Sequence, residues 1–206
     1  MALLHKAEIR PTKLELLSGW LPTRPWFSGP ANPEVTRVAA ARFDDPAGEV
    51  GLEVMLVRVG DGPVLHVPLT YRGAPLAGAE AIGTTEHSVL GTRWVYDACH
   101  DPVFVSVLGE VIRSGGTQAA EEVHDGERVV VREPGLLLRG AGSAAPAPGD
   151  PVKVAEGEVV RIETTGGGIE LFRTPWAAPL PGDAVLTGMW AGRPEPVVLA
   201  RLTEGD

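Results

Sequence analysis

The chain has 206 residues, a length that holds one large domain or two small ones around a real apolar core. A hydrophobic share of 44%, charged residues at 22% and a mean hydropathy of +0.06 are those of a soluble globular protein, and no run approaches the ~18 apolar residues of a membrane span. Net charge is -9 and the 18 Lys and Arg are scattered, so nucleic acid and anionic membrane are poor partners, while Cys99, the only cysteine, excludes an internal disulfide and a cysteine-built zinc site.

The N-terminus, Met1 to Arg10, mixes charge into its apolar residues and lacks the continuous apolar region of a signal peptide, which points to a reducing cytoplasm. Thr12 and Glu15 have capping-box spacing, and Leu14, Leu17 and Leu21 follow at helical intervals, predicting a short helix over 12–19. From Glu34 onward the pattern is strand-like: Val35 to Phe43, Val50 to Val59 and Val64 to Tyr71, separated by Asp44-Asp-Pro-Ala-Gly48 and Gly60-Asp-Gly-Pro63. In Val50 to Val59, Leu52, Val54 and Leu56 share one face and Glu53, Met55 and Val57 the other, so one face is expected to be the more buried. A second helix is predicted from an Asp101 N-cap, Pro102 at the first helical position and Gly115-Gly116 after the last turn.

Beyond Gln118 the chain has short alternating runs at Arg128 to Val131, Leu136 to Arg139, Val159 to Glu163, Ile169 to Phe172, Ala184 to Trp190 and Val197 to Leu202, which predict an all-β half. Gly140 to Gly149 is low in complexity and has no large side chain to offset its ordering entropy, the pattern of a flexible loop over 140–150. The 26 glycines and 19 prolines punctuate the apolar runs, as tight turns do.

Three segments carry a family resemblance: Trp20-Leu-Pro-Thr-Arg-Pro-Trp26-Phe27, His66-Val-Pro-Leu-Thr-Tyr-Arg72, and Gly83-Thr-Thr-Glu-His-Ser-Val-Leu-Gly-Thr-Arg-Trp-Val-Tyr-Asp-Ala-Cys-His-Asp-Pro102. In this order and at this spacing they resemble the N-terminal cap of bacterial maltokinases, over roughly residues 1–116. The resemblance implies an α+β fold, a curled antiparallel sheet (cystatin-like) packed with two or more helices, followed over 117–206 by a mostly antiparallel β subdomain that could be a remnant of a kinase-like N-lobe. The family's phosphotransferase lobes are not among these residues. No Gly-x-x-x-x-Gly-Lys-Ser/Thr loop and no His-x-Asp catalytic loop with a downstream Asn is present. Gly166-Gly-Gly168 before Ile169-Glu-Leu-Phe-Arg173 is similar to the family strand that bears a phosphate-contacting lysine. Here Glu170 would stand at that position, where its charge would repel phosphate; the alternative is an ordinary glycine-rich hairpin turn.

Nine residues are candidates for sugar contact or for an interface, Trp20, Trp26, Phe27, Tyr71 and Trp94 as rings and Arg72, Glu86, His87 and Arg93 beside them, although large rings are more often core. Arg72 and Arg93 flank them and are expected to pair with carboxylates such as Glu86 or Asp97. Glu86, His87, Asp97, His100 and Asp101 gather in one stretch but match no metal-ligand spacing, and Asp101 is explained as a helix cap. Cys99 beside His100 is expected to be a small buried thiol. These residues support no catalytic, metal or cofactor site. The sequence therefore suggests a non-catalytic cap-like module associated with a kinase or another enzyme of trehalose, maltose or glycogen metabolism, or with a second copy of itself. The alternatives are a sugar-binding or other small-molecule-binding module and, less favoured, an enzyme acting on α-glucan through two positioned carboxylates.

Overall fold

The structure, a computed structural model, describes residues 2–4, 8–125, 128–145, 147–175 and 177–204. Met1 and residues 5–7 of the N-terminal stretch, and Pro146 of the low-complexity segment, lie outside the described residues. In chain order the strands are β1 (Ala2–Leu4), β2 (Ile9–Arg10), β3 (Val35–Phe43), β4 (Gly51–Val59), β5 (Leu65–His66), β6 (Leu69–Arg72), β7 (Gly83–His87), β8 (Gly91–Asp97), β9 (Glu121–Asp125), β10 (Arg128–Arg132), β11 (Leu136–Gly140), β12 (Pro151–Ala155), β13 (Val159–Thr164), β14 (Gly167–Phe172), β15 (Val185–Trp190) and β16 (Arg193–Thr203). Helix α1 spans Lys13–Trp20 and α2 spans Pro102–Ser114, with single 3-10 turns at Leu21–Thr23 and Ala98–His100.

Both helices start and stop for the reasons their sequences give. Glu15 N–H donates to Thr12 Oγ1 at 3.3 Å while Thr12 N–H donates to the Glu15 carboxylate at 2.7 Å, closing the capping box of α1. Asp101 accepts from Val103 N–H at 3.0 Å, Pro102 supplies the first residue of α2, and Gly115 ends it at φ 70°, a left-handed conformation that costs glycine little. The carbonyls that α2 leaves open at its C-terminus are taken by the 140–143 backbone: Gly142 N–H donates to Ile112 O and Ser143 N–H to Arg113 O, each at 2.9 Å. Only glycine fits at 140, where a Cβ would stand 1.9 Å from the Val111 oxygen.

The protein is mostly β. One curled antiparallel half-barrel sheet runs β2-β7-β8-β6-β4-β3, with β5 also paired to β4. A second antiparallel sheet has the order β11-β15-β16-β14-β13-β12, and a small third sheet joins β1, β9 and β10. The stretch after α2 bridges the two larger sheets, since Ala119 N–H donates to Arg42 O on β3 and Leu138 N–H on β11 donates to Gln118 Oε1.

Strand β4 corrects one expectation, because both of its faces are buried. Leu52, Val54 and Leu56 enter a cluster with Ala41 and Phe43 of β3, with Phe104, Leu108 and Ile112 of α2, and with Leu136, Ile162, Leu171 and Leu199 of the second sheet. Met55 and Val57 enter another, with Leu17 and Leu21 of the α1 segment, Val67, Leu69 and Val95. Alternation along the strand places the two sets on opposite faces. The half-barrel sheet is thus covered by α1 on one side and by α2 with the second sheet on the other. The predicted run Val64 to Tyr71 is two strands, interrupted at Pro68, which has no N–H to give the ladder. Among the described residues no helix is long and apolar enough to cross a membrane.

Candidate functional site

The aromatic candidates divide between the two faces of the half-barrel sheet. Trp20, at the end of α1, meets Trp26 edge-on with ring centroids 6.0 Å apart, and both pack with Phe27 and Tyr71 against the α1-side cluster. The Arg24 guanidinium lies 5.1 Å from the Trp20 ring and that of Arg173 lies 4.7 Å from the Trp26 ring. The rings thus form a ladder between two cations. Trp94 is opposite Arg72 in the β6–β8 pairing, on the other face of the sheet from Tyr71 and Val95.

The polar candidates serve as ties within this fold. Arg72 is bidentate on Asp101, at 2.7 and 2.6 Å, and so fixes the N-terminus of α2 to β6. Glu86 is exposed and accepts from Thr92 Oγ1 at 2.8 Å. His87 Nδ1 accepts from the N–H groups of Val89 and Leu90 at 3.2 and 3.1 Å, which shapes the β7–β8 turn and leaves Val89 and Leu90 projecting into solvent. Arg93 donates to the Leu90 carbonyl at 2.8 Å. The expected pairing of Arg72 or Arg93 with Glu86 or Asp97 does not form: Asp101 takes Arg72 and Asp97 takes an arginine of the other half of the chain.

That arginine is Arg173, at the end of β14. It is 1% exposed, donates through Nη2 to Asp97 Oδ2, and lies on the Trp26 face; His66 N–H donates to the Arg173 carbonyl at 2.7 Å. Burial alone would raise the Asp97 carboxyl, and the Arg173 guanidinium, together with the Cys99 N–H and the His100 charge, offsets it and holds Asp97 below its ordinary value. Burial, reinforced by the same guanidinium, pushes the His66 imidazole down to about 3, so it is neutral. Burial also pushes the Cys99 thiol well up, with Asp97 adding to the effect, which makes it a poor nucleophile. At the rim of this group Glu156 accepts from Arg24 at 3.1 Å and lies 3.6 Å from His100 Nε2.

A second buried charge went unpredicted. Glu53 sits mid-strand on β4 at 4% exposure, bound by Lys13 Nζ at 2.6 Å and by the Tyr71 phenol. Burial would raise its carboxyl, and the Lys13 and Arg42 charges bring it below its ordinary value; burial in turn pushes the Tyr71 phenol well above 10.0, with Glu53 adding to the effect. One signal was available: a glutamate inside the apolar run Leu-Glu-Val-Met-Leu-Val requires a cation if it is buried, although the run does not say which cation.

Glu170 lies outside these groups. Its carboxylate accepts from Arg161 Nε at 3.2 Å and Arg201 Nη2 at 2.5 Å across β13, β14 and β16, and Thr165-Gly166 is the turn of the β13–β14 hairpin. Among the described residues no group of three or more His, Cys, Asp or Glu is placed to hold a metal ion. None of the nine candidates lines either of two surface grooves, one between α2 and residues 147–150, the other beside 139–142 and 179–183.

Fold and charge together define a class: a mostly β chain with a half-barrel sheet covered on both faces, whose buried carboxylates Glu53, Asp97 and Asp101 are each paired with a cation from another element. Residues 20–101 match the family model of the maltokinase N-terminal cap domain. The match covers less than half of the chain, starting at the last residue of α1 and ending at the N-cap of α2, so that it holds β3 to β8 of the half-barrel sheet. No curated protein matches the chain.

Proposed function

We propose that the chain is a non-catalytic, cap-like module that acts by associating with an enzyme of trehalose, maltose or glycogen metabolism. The match of residues 20–101 to the maltokinase cap carries this reading, and the placement of the charged groups supports it. The buried carboxylates Glu53, Asp97 and Asp101 are each closed by a cation from another element, as expected of ties that hold a scaffold rather than of groups poised for proton transfer. The cap sheet is taken to be cystatin-like, and 117–206 to be a β-rich subdomain that completes its covering.

Affinity capture of the tagged chain from lysate of its source organism, with bound proteins identified against a tag-only control, tests the reading. Reproducible enrichment of a trehalose, maltose or glycogen enzyme is the expected result. An empty capture with folded protein overturns it and puts the small-molecule-binding module first.

A further inference from the structure

Two parts of a chain that meet over a modest polar contact move as separate bodies, whereas a large apolar contact holds them as one. Here the α2-side face of the half-barrel is filled by α2 and by the second sheet in a single buried cluster. Ala39 and Val54 of the half-barrel share it with Leu138 of β11, Val160 of β13, Leu186 of β15 and Val197 of β16, none more than 6% exposed. Cys99, in the 3-10 turn between β8 and α2, lies fully buried in the same cluster.

The polar groups at this junction are shared between the halves. Helix α2 starts on the half-barrel, where Asp101 caps it and Arg72 holds Asp101. It ends on the second half, where the Gly142 and Ser143 N–H groups take the Ile112 and Arg113 carbonyls. The Asp97 carboxylate of β8 takes its cation from Arg173, and the His66 N–H joins the Arg173 carbonyl at 2.7 Å. Drawing the second sheet away would break the buried ion pair, uncap α2 and open the apolar cluster in one step.

We infer that the second sheet is a built-in cover: it occupies in cis the α2-side face of the half-barrel, so that the two halves open and close as one cooperative unit and a separate protein finds that face already filled. The segment that matches the cap family, 20–101, accordingly has no folded state in which this face is bare. No partner protein is needed for this closure, and a failure of the association proposed above leaves it untouched.

Native-state hydrogen exchange of the full chain at pH 7, read amide by amide across low guanidinium concentrations, tests it. The buried amides of β4 and β8 and those of β14 and β16 are expected to merge into one opening free energy and one guanidinium dependence, equal to those of global unfolding. Ile162→Val on β13, a one-methyl truncation that leaves the chain folded, is expected to speed exchange about fivefold in both halves alike. Thiol labelling of Cys99, the only cysteine, is expected to follow the same free energy. Exchange of the second sheet while β4 and β8 stay protected, an Ile162→Val effect confined to the second sheet, or Cys99 labelling about tenfold or more faster than global unfolding allows overturns the inference.

Discussion

Replacing Arg173 with methionine removes the cation that neutralises Asp97 while keeping most of the side-chain volume. Asp97 is 4% exposed and would retain one hydrogen bond, from Cys99 N–H at 3.2 Å. A carboxylate left in that setting costs about 3–5 kcal/mol, and the lost contact with the Trp26 ring adds about 1 kcal/mol. Against the ~5–15 kcal/mol typical of a folded domain this is a large fraction, readable as a fall in the guanidinium midpoint at pH 7. Arg173→Met combined with Asp97→Asn is expected to lose at least about 2 kcal/mol less than the two single changes summed, because each single variant strands a buried partner. The pH dependence has a definite sign. The folded Asp97 carboxyl is held below its unfolded value near 3.8, so its contribution is present above that value and is lost as pH falls through the folded one. A cost of less than about 1 kcal/mol for Arg173→Met, with additive doubles, would refute the assignment of this pair as the tie between the two halves.

His66, held at about 3, is mostly unprotonated in the folded chain above that pH while the unfolded chain stays mostly protonated up to about 6.5, so stability rises with pH across that window by up to about 1.4 kcal/mol per unit from this group. His66→Leu is expected to flatten the midpoint-against-pH curve between pH 4.5 and 6.5; an unchanged slope would assign the pH dependence elsewhere. Gly19 lies in α1 with nothing within 4 Å of an added Cβ, so Gly19→Ala is expected to stabilise by about 0.5–1 kcal/mol, measured as a rise in Tm. Gly109→Ala, which would drive a Cβ into Pro148, is expected to lower it. Thr12→Ala removes the side-chain cap of α1 and is expected to cost about 1 kcal/mol in urea unfolding; a neutral result would mean that tertiary packing alone sets that helix start.

Much of the fold was legible where local chemistry decides it. The Asp101, Pro102 and Gly115 signals place α2 to the residue, and Val35 to Phe43 coincides with β3 because its bounds are set by turn residues on both sides. Strand β12 escaped because it is a five-residue edge strand opening on Pro151, too short for its single Val152-Lys153-Val154 alternation to stand out after the low-complexity segment. The second burial of β4 was hidden for a different reason: which face is covered depends on α1 and the second sheet, elements distant in sequence. The pairing of Asp97 with Arg173 spans 76 positions, and nothing in the sequence singles out this arginine from the others as the partner. The nine candidate residues were legible as a family pattern, while their division into an α1-side ring ladder, an α2 tether and a hairpin turn required the register of the strands.

The central claim is association, and the most direct measurement is sedimentation velocity of the purified chain mixed with the purified maltokinase and with the purified trehalose synthase of its source organism. A complex with at least one of them, with a Kd of about 10 μM or tighter as expected for a specific interface, is the predicted result. Unshifted boundaries with both enzymes, together with heat released on titrating maltose or trehalose into the chain alone, would contradict the account and identify a sugar-binding module.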